Sequence, residues 1–150
     1  MYLNRDDFIA VLQRTPLVSM DLIVRNRQGQ ILLGLRKNEP AKGFWFVPGG
    51  RILKDERLDD AFQRLTQEEL GLLCHRKDAV FRGVFEHLYE TNFAGKNGVS
   101  THYVVLAHEL EWAHAFNALP ITQHDKYEWC APDAILQRPD VHENVKAYFR

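Results

Sequence analysis

Cysteine is scarce: Cys74 and Cys130 are the two thiols in 150 residues. Thiols so far apart build neither a disulfide framework nor a zinc-ligand spacing, so they read as apolar fillers or surface thiols in a reducing compartment. An excess of one charge is also missing. Nineteen basic and twenty acidic side chains leave a formal net charge of -1. So weak a field holds neither nucleic acid nor an anionic membrane by charge alone, which leaves only a local anion site open. No apolar run approaches the ~18 residues of a membrane span. Arg5, Asp6 and Asp7 interrupt the amino-terminal stretch, so it lacks the apolar run of a signal peptide. A cytoplasmic protein with no membrane or nucleic-acid partner is expected. Repeats and low-complexity linkers are absent too. What is present is an ordinary globular composition, 45% hydrophobic, too apolar for a disordered chain. A single domain over 1–150 is expected.

Asn4 suits a helix cap, with Asp6 and Asp7 in the first turn and Phe8, Ile9, Val11 and Leu12 at helical spacing before Pro16. Residues 17–25 and 31–35 read as a hairpin across Asn26-Arg27-Gln28-Gly29. Residues 36–48 read as an irregular loop. Residues 57–70 read as a helix with Leu58, Ala61, Phe62 and Leu65 on one face and Gly71 just past its end. Strands follow over 80–89, 99–110 and 127–130, then a helix opened by Pro132 and a last helix over 141–149. Hairpins mixed with helices argue an α+β fold, a mixed sheet covered by helices.

Between Gly50 and Leu72 the spacing carries chemistry. Gly50 is followed by five residues and Glu56, then seven residues and Arg64, then Leu65-Thr66-Gln67-Glu68-Glu69-Leu70-Gly71-Leu72. Glycines let backbone approach a ligand closely, a helix holds carboxylates three or four residues apart on one face, and carboxylate oxygens suit Mg²⁺. The segment resembles the Nudix box, G-x5-E-x7-R-E-U-x-E-E-x-G-U with U apolar. The resemblance implies the Nudix fold, a mixed sheet sandwiched between helices with the box as loop-helix-loop over 50–72. Two positions depart from the pattern: Leu65 stands where it has Glu, and Thr66 where it has an apolar residue. Losing that Glu removes a group that often binds metal or activates water, so another base is needed. His124, in the loop before the last strand, can take a proton near neutral pH, and the amide oxygen of Gln123 can ligate Mg²⁺ without adding charge.

The variant box, Thr15-Pro16-Leu17-Val18-Ser19, Trp45-Phe46-Val47-Pro48-Gly49-Gly50-Arg51, Thr101-His102-Tyr103-Val104-Val105 and Gln123-His124 together resemble the GDP-mannose mannosyl hydrolases of the Nudix superfamily. The resemblance implies Mg²⁺, with Mn²⁺ as a substitute, held by the Gly49 carbonyl, Glu69 and Gln123. It implies His124 as the base and water attack at sugar C1 of GDP-mannose, and of GDP-glucose, with inversion. Glu68 then either touches a metal-bound water or sits solvated. Arg36 and Arg51 are candidate diphosphate clamps. Arg64 orients Glu69 or a phosphate, and Tyr103 either donates to a phosphate oxygen or belongs to the core. Asp21 and His87, polar residues in apolar strands, need partners and could bond the sugar. By the same resemblance Tyr2, Leu3 and Phe8 contact the nucleotide, although Phe8 alone reads as helix core, and the protein is a homodimer. Two rival readings are a conventional Nudix pyrophosphohydrolase that cuts P–O and a nucleotide-sugar binding module without catalysis.

Overall fold

The computed structural model describes residues 2–113 and 124–150. It opens with α1 (Arg5–Arg14). The Asn4 side chain accepts the Asp7 N–H at 2.9 Å and so satisfies one of the orphan donors of the first turn. Ile9 and Leu12 are buried, and the helix stops at Thr15, before Pro16. The sheet comprises β1 (Leu17–Asn26), β2 (Ile31–Arg36), β3 (Trp45–Phe46), β4 (Gly49–Arg51), β5 (Val80–Tyr89), β6 (Thr101–Trp112) and β7 (His124–Cys130). The helices that follow the box and the last strand are α2 (Leu58–Leu70), α3 (Pro132–Gln137) and α4 (Glu143–Lys146). Among the described residues no helix is long and apolar enough to cross a membrane.

β1 is the spine. It lies parallel to β6 from Leu17↔Tyr103 to Asn26↔Trp112, and β5 continues the sheet antiparallel to β6. On its other flank β1 and β2 share the registered pair Arg25↔Ile31 beside their turn. Farther from the turn the two strands take separate partners. β1 pairs with β4 through Ser19↔Arg51, Met20↔Gly50 and Asp21↔Gly49. β2 pairs with β3 through Gly34↔Phe46 and with β7 from Ile31↔Cys130 to Arg36↔His124. The parting of β1 from β2 opens the sheet beside β4 and the start of the box.

Alternation sorts the two faces. Met20, Leu22 and Val24 of β1 pack with Phe62, Leu65 and Leu70 of α2. Ile23 faces the other way and packs with Leu33, Phe46, Ala107, Ile135, Val141 and Val145. The result is the expected α+β fold, a seven-stranded mixed sheet with helices.

Three local expectations are corrected. The last strand begins at His124 rather than at Tyr127, so the His124 backbone lies in β7 and not in the loop before it. The stretch 36–48 is not wholly irregular: it contains β3, and Gly49-Gly50 lies in β4. Strands of two and three residues are too short to show a period, and glycine is a poor strand former, so partners on β1 and β2 create them. The last helix is also shorter than 141–149. His142 caps α4 by accepting the Asn144 N–H at 3.0 Å. The chain then continues in tight turns, Tyr148 N–H to Val145 O and Phe149 N–H to Lys146 O.

Candidate active site

The box is held together by one guanidinium. Arg64 on α2 donates to both oxygens of Glu56, at 2.7 and 2.9 Å, to the Arg51 carbonyl at 2.8 Å and to Glu68 at 3.1 Å. Glu56 also accepts the Leu53 N–H at 3.0 Å, which closes the turn leading into the helix. The guanidinium holds the Glu56 carboxyl below the usual carboxylate range. Arg64 is therefore engaged by its own chain, and it lines a groove beside the main pocket together with Tyr2, Arg51, Glu68 and Glu69.

The two departures from the box have structural reasons. Leu65 is buried in the cluster under the sheet, and a Cβ added to Gly50 would lie 2.5 Å from its Cδ2. The side chain thus fills the space directly over the glycine. Thr66 is buried but satisfied: its hydroxyl donates to the Gln63 carbonyl at 3.1 Å and accepts the Cys74 N–H at 2.9 Å, tying down the segment after α2.

Residues Leu65 and Glu69 are one turn apart on α2 and so share a face. Glu69 is 5% exposed. Burial pushes its carboxyl up to about 7, opposed by a hydrogen bond from the Gly49 N–H and by Arg36. Its Oε2 is buried with no hydrogen-bond partner. Glu68 points elsewhere, toward Arg64 and within 3.4 Å of the Tyr2 hydroxyl.

Seven of the expected residues line one pocket: Asp21, Arg36, Gly49, Arg51, Glu69, His87 and Tyr103. Asp21 sits opposite Gly49 across β1–β4, and His87 opposite Tyr103 across β5–β6. Arg36 is braced by the Pro40 carbonyl at 2.9 Å and lies over the Phe46 ring. Arg51 lies 4.2 Å over the ring of Phe8, which packs in turn on Phe93. Phe8 thus supports a pocket residue from below, and it belongs to a small cluster with Leu12, Leu17, Val99 and Tyr103. Tyr2 lies along the adjoining groove, whereas Leu3 lines neither that groove nor the pocket. Gln123 and the side chain of His124 fall outside the described residues; the His124 backbone pairs with Arg36 at the pocket edge.

One wall is backed by a residue that sequence reasoning missed. Tyr148, in the turn after α4, donates to Asp21 Oδ2 at 2.5 Å and stands 3.3 Å from His87 Nε2. Desolvation raises the Asp21 carboxyl to about 7 against the pull of Tyr148 and Arg36, and burial lowers His87 to about 4. Tyr148 stands behind the lining, whereas Tyr89 lines the pocket itself; its spacing of two from His87 on a strand puts both on one face, a signal the sequence did offer.

The donor set suits a hard divalent cation. A buried carboxylate with an orphan oxygen lies beside a glycine at which an added Cβ would meet the Met20 carbonyl at 2.4 Å, so only glycine brings backbone this close. Among the described residues no three His, Cys, Asp or Glu gather as a metal-holding group. One carboxylate plus carbonyl, amide, water and phosphate oxygens is the mode by which Mg²⁺ is commonly held.

Comparison with known proteins agrees with this geometry. Over 106 residues the chain is 44% identical to the low-salt glycan biosynthesis protein Agl8 of Haloferax volcanii, covering 70% of this chain and 65% of that protein. Over 58 residues it is 40% identical to an ADP-ribose pyrophosphatase of Methanocaldococcus jannaschii, covering 39% of this chain and 34% of that one. The fold superimposes on the crystal structure of a MutT protein from Methanosarcina mazei Go1 with a TM-score of 0.71, 19% identity and coverage of 91% and 92% of the two chains. The NUDIX domain profile matches residues 15–150. With its box helix seated against the parted sheet, the chain belongs to the NUDIX family, whose enzymes hydrolyse small nucleotide derivatives with a divalent cation.

Proposed function

We propose that this enzyme hydrolyses GDP-mannose, and GDP-glucose, to GDP and the free sugar. The observation that carries the reading is Leu65 packed over Gly50: α2 turns one buried carboxylate, Glu69, to the pocket and has none at the position where other boxes activate water on phosphorus. Attack at carbon needs no such group. The resemblance of the wider chain to mannosyl hydrolases supports the same reading, as does a relative named for glycan biosynthesis.

Gly49, Glu69 and Gln123 would hold Mg²⁺, or Mn²⁺ in its place. The cation supplies Lewis-acid charge to the departing diphosphate. Arg36 and Arg51 grip phosphate oxygens, and Tyr103 donates its hydroxyl to another. Asp21 and His87 bond the sugar hydroxyls. His124 takes a proton from water as its oxygen bonds to C1. The C1–O bond to GDP breaks on the opposite face, GDP leaves with the electron pair, and the configuration inverts. The oxocarbenium character of such a transition state is shared with glycosidases.

A turnover assay in ¹⁸O-labelled water tests this. GDP and mannose with the label on the sugar are expected; label on phosphate refutes attack at carbon. His124→Gln should lower kcat by roughly 10²–10⁴, the worth of a positioned base, with GDP binding retained. A second reading, conventional P–O cleavage to GMP and mannose 1-phosphate, is favoured by the acid retained at Glu68 and by the segment shared with an ADP-ribose pyrophosphatase. The same assay separates the two by product.

A further inference from the structure

The hydroxyl of Tyr148 touches two pocket residues at once, Asp21 Oδ2 at 2.5 Å and His87 Nε2 at 3.3 Å. All three side chains are buried. Asp21 and His87 line the pocket, whereas Tyr148 stands behind them, its ring held edge-on to Phe85 at 4.7 Å and packed among the apolar residues of α3 and α4. A phenol carries one proton and can also accept. With its proton committed to the short bond to Asp21, the Tyr148 oxygen can only accept from His87. His87 must then carry its proton on Nε2, which leaves Nδ1 as the lone-pair nitrogen. On Asp21, Oδ2 is engaged and Oδ1 stays an acceptor on the Gly49 side, 2.7 Å from where a Cβ of that residue would be.

We infer that Tyr148 is a positioning residue that fixes His87 as its Nε2–H tautomer and so makes the Asp21–His87 wall a pair of acceptors for sugar hydroxyls. Acceptors favour a polyol there over a carboxylate or phosphate, whose oxygens also only accept. The pocket is thereby divided chemically: the arginines draw the diphosphate, and the acceptor wall draws hydroxyl donors. The recognition half of this inference rests on the nucleotide-sugar reading; the tautomer half stands without it. The reverse proton order, with Tyr148 donating to His87, needs the protonated Asp21 that burial favours below about pH 7 and would leave a mixed wall, so the two orders are compared well above that pH.

Long-range ¹H–¹⁵N spectra of protein labelled at histidine distinguish the two orders, with His87 assigned from a His87→Gln variant. The Nε2–H pattern is expected for His87 in the wild type, and its loss in Tyr148→Phe, which keeps the ring packing. An Nδ1–H pattern in the wild type, or an unchanged pattern in Tyr148→Phe, overturns the inference. In Tyr148→Phe, kcat/KM for GDP-mannose should fall about 10- to 100-fold while GDP affinity stays within about twofold, as expected for a lost bond to an ionised partner that acts on the sugar alone. A changed tautomer with wild-type kcat/KM overturns the recognition half. If the wild type leaves GDP-mannose intact, the nucleotide-sugar reading fails while the spectra still decide the role of Tyr148. The wild-type pattern does not depend on Tyr148→Phe, so a misfolded Tyr148→Phe does not spare the inference.

Discussion

Glu69 and Asp21 line one pocket, and both lie against Gly49. Both carboxyls are buried and pushed up to about 7 by desolvation, yet they are held by different means. Glu69 leans on its own neighbourhood, a helix and the Gly49 backbone within one continuous stretch of box, and keeps an orphan oxygen. Asp21 is satisfied by Tyr148, 127 residues away. A buried carboxylate with an open oxygen is costly until a cation arrives; one already bonded on one side can serve as a fixed acceptor. The same desolvation thus supports two tasks, and the difference lies in what each partner leaves unfilled.

The sharpest way to break this comparison is at the open oxygen. Glu69→Gln should lower Mg²⁺-dependent turnover by about 10³-fold, several kcal/mol of lost charge stabilisation, and abolish saturable Mg²⁺ binding in a titration. Glu68→Ala, turned toward Arg64, should stay within about threefold on the same scale. Equal losses would show that the wrong carboxylate has been assigned to the cation.

The pH dependence of stability sharpens it further. A carboxyl whose folded pKa is raised stays protonated in the native state while the unfolded chain ionises. Its contribution is therefore fully present below about 4.5 and is lost as pH rises to about 7. Metal-free protein should lose up to about 3 kcal/mol through Glu69 over this window. Chemical denaturation in the presence of a chelator should show that slope together with the like-signed one from Asp21, and Glu69→Gln should remove the Glu69 share and leave the Asp21 share. Glu56, lowered by Arg64, has the opposite sign: its contribution is present above the unfolded pKa and lost as pH falls through the folded one. Glu56→Gln should remove that acid-side loss and leave the neutral-side slope alone.

Smaller effects test the backbone beside the carboxylate. Gly50→Ala should cost about 1–2 kcal/mol in urea unfolding, since its Cβ overpacks against Leu65. Combined with Leu65→Ala, the same change should cost nearly nothing more, a coupling of about 1 kcal/mol in a double-mutant cycle. The least effect is expected from Phe8→Ala. Losing the ring under Arg51 should weaken GDP binding about 3- to 5-fold by calorimetry, the worth of one partly exposed cation–π contact. Wild-type affinity would leave Phe8 with a packing role alone.

The two carboxyls and their partners also differ in how far they could be read from sequence. Glu56, Arg64 and Glu69 announce themselves because a loop and a helix preserve spacing, so positions in the chain translate directly into positions on one face. The α1 cap, the β1–β2 hairpin and the Gly71 stop were legible for the same reason. Asp21 and His87 were noticed as polar residues inside apolar strands, but nothing local said that they meet. Their meeting depends on the parallel register of β1 on β6 and the antiparallel register of β5 on β6, which no short pattern encodes. Tyr148 was hidden further, since an aromatic residue near the end of an amphipathic stretch looks like any core residue. β3 and β4 were missed because their pairing is imposed by partners.

Leu65 over Gly50 also bears on where change is tolerated. Placing the acid here by Leu65→Glu would put a carboxylate among the apolar residues Met20, Leu22 and Phe62, where an unpaired charge is heavily penalised. Leu65→Glu alone is therefore expected to cost stability in this core. The leucine thus ties what α2 can offer the pocket to the stability of the core: a change at this position that adds charge also loosens the cluster, so the pocket can be retuned at lower cost from residues outside the box.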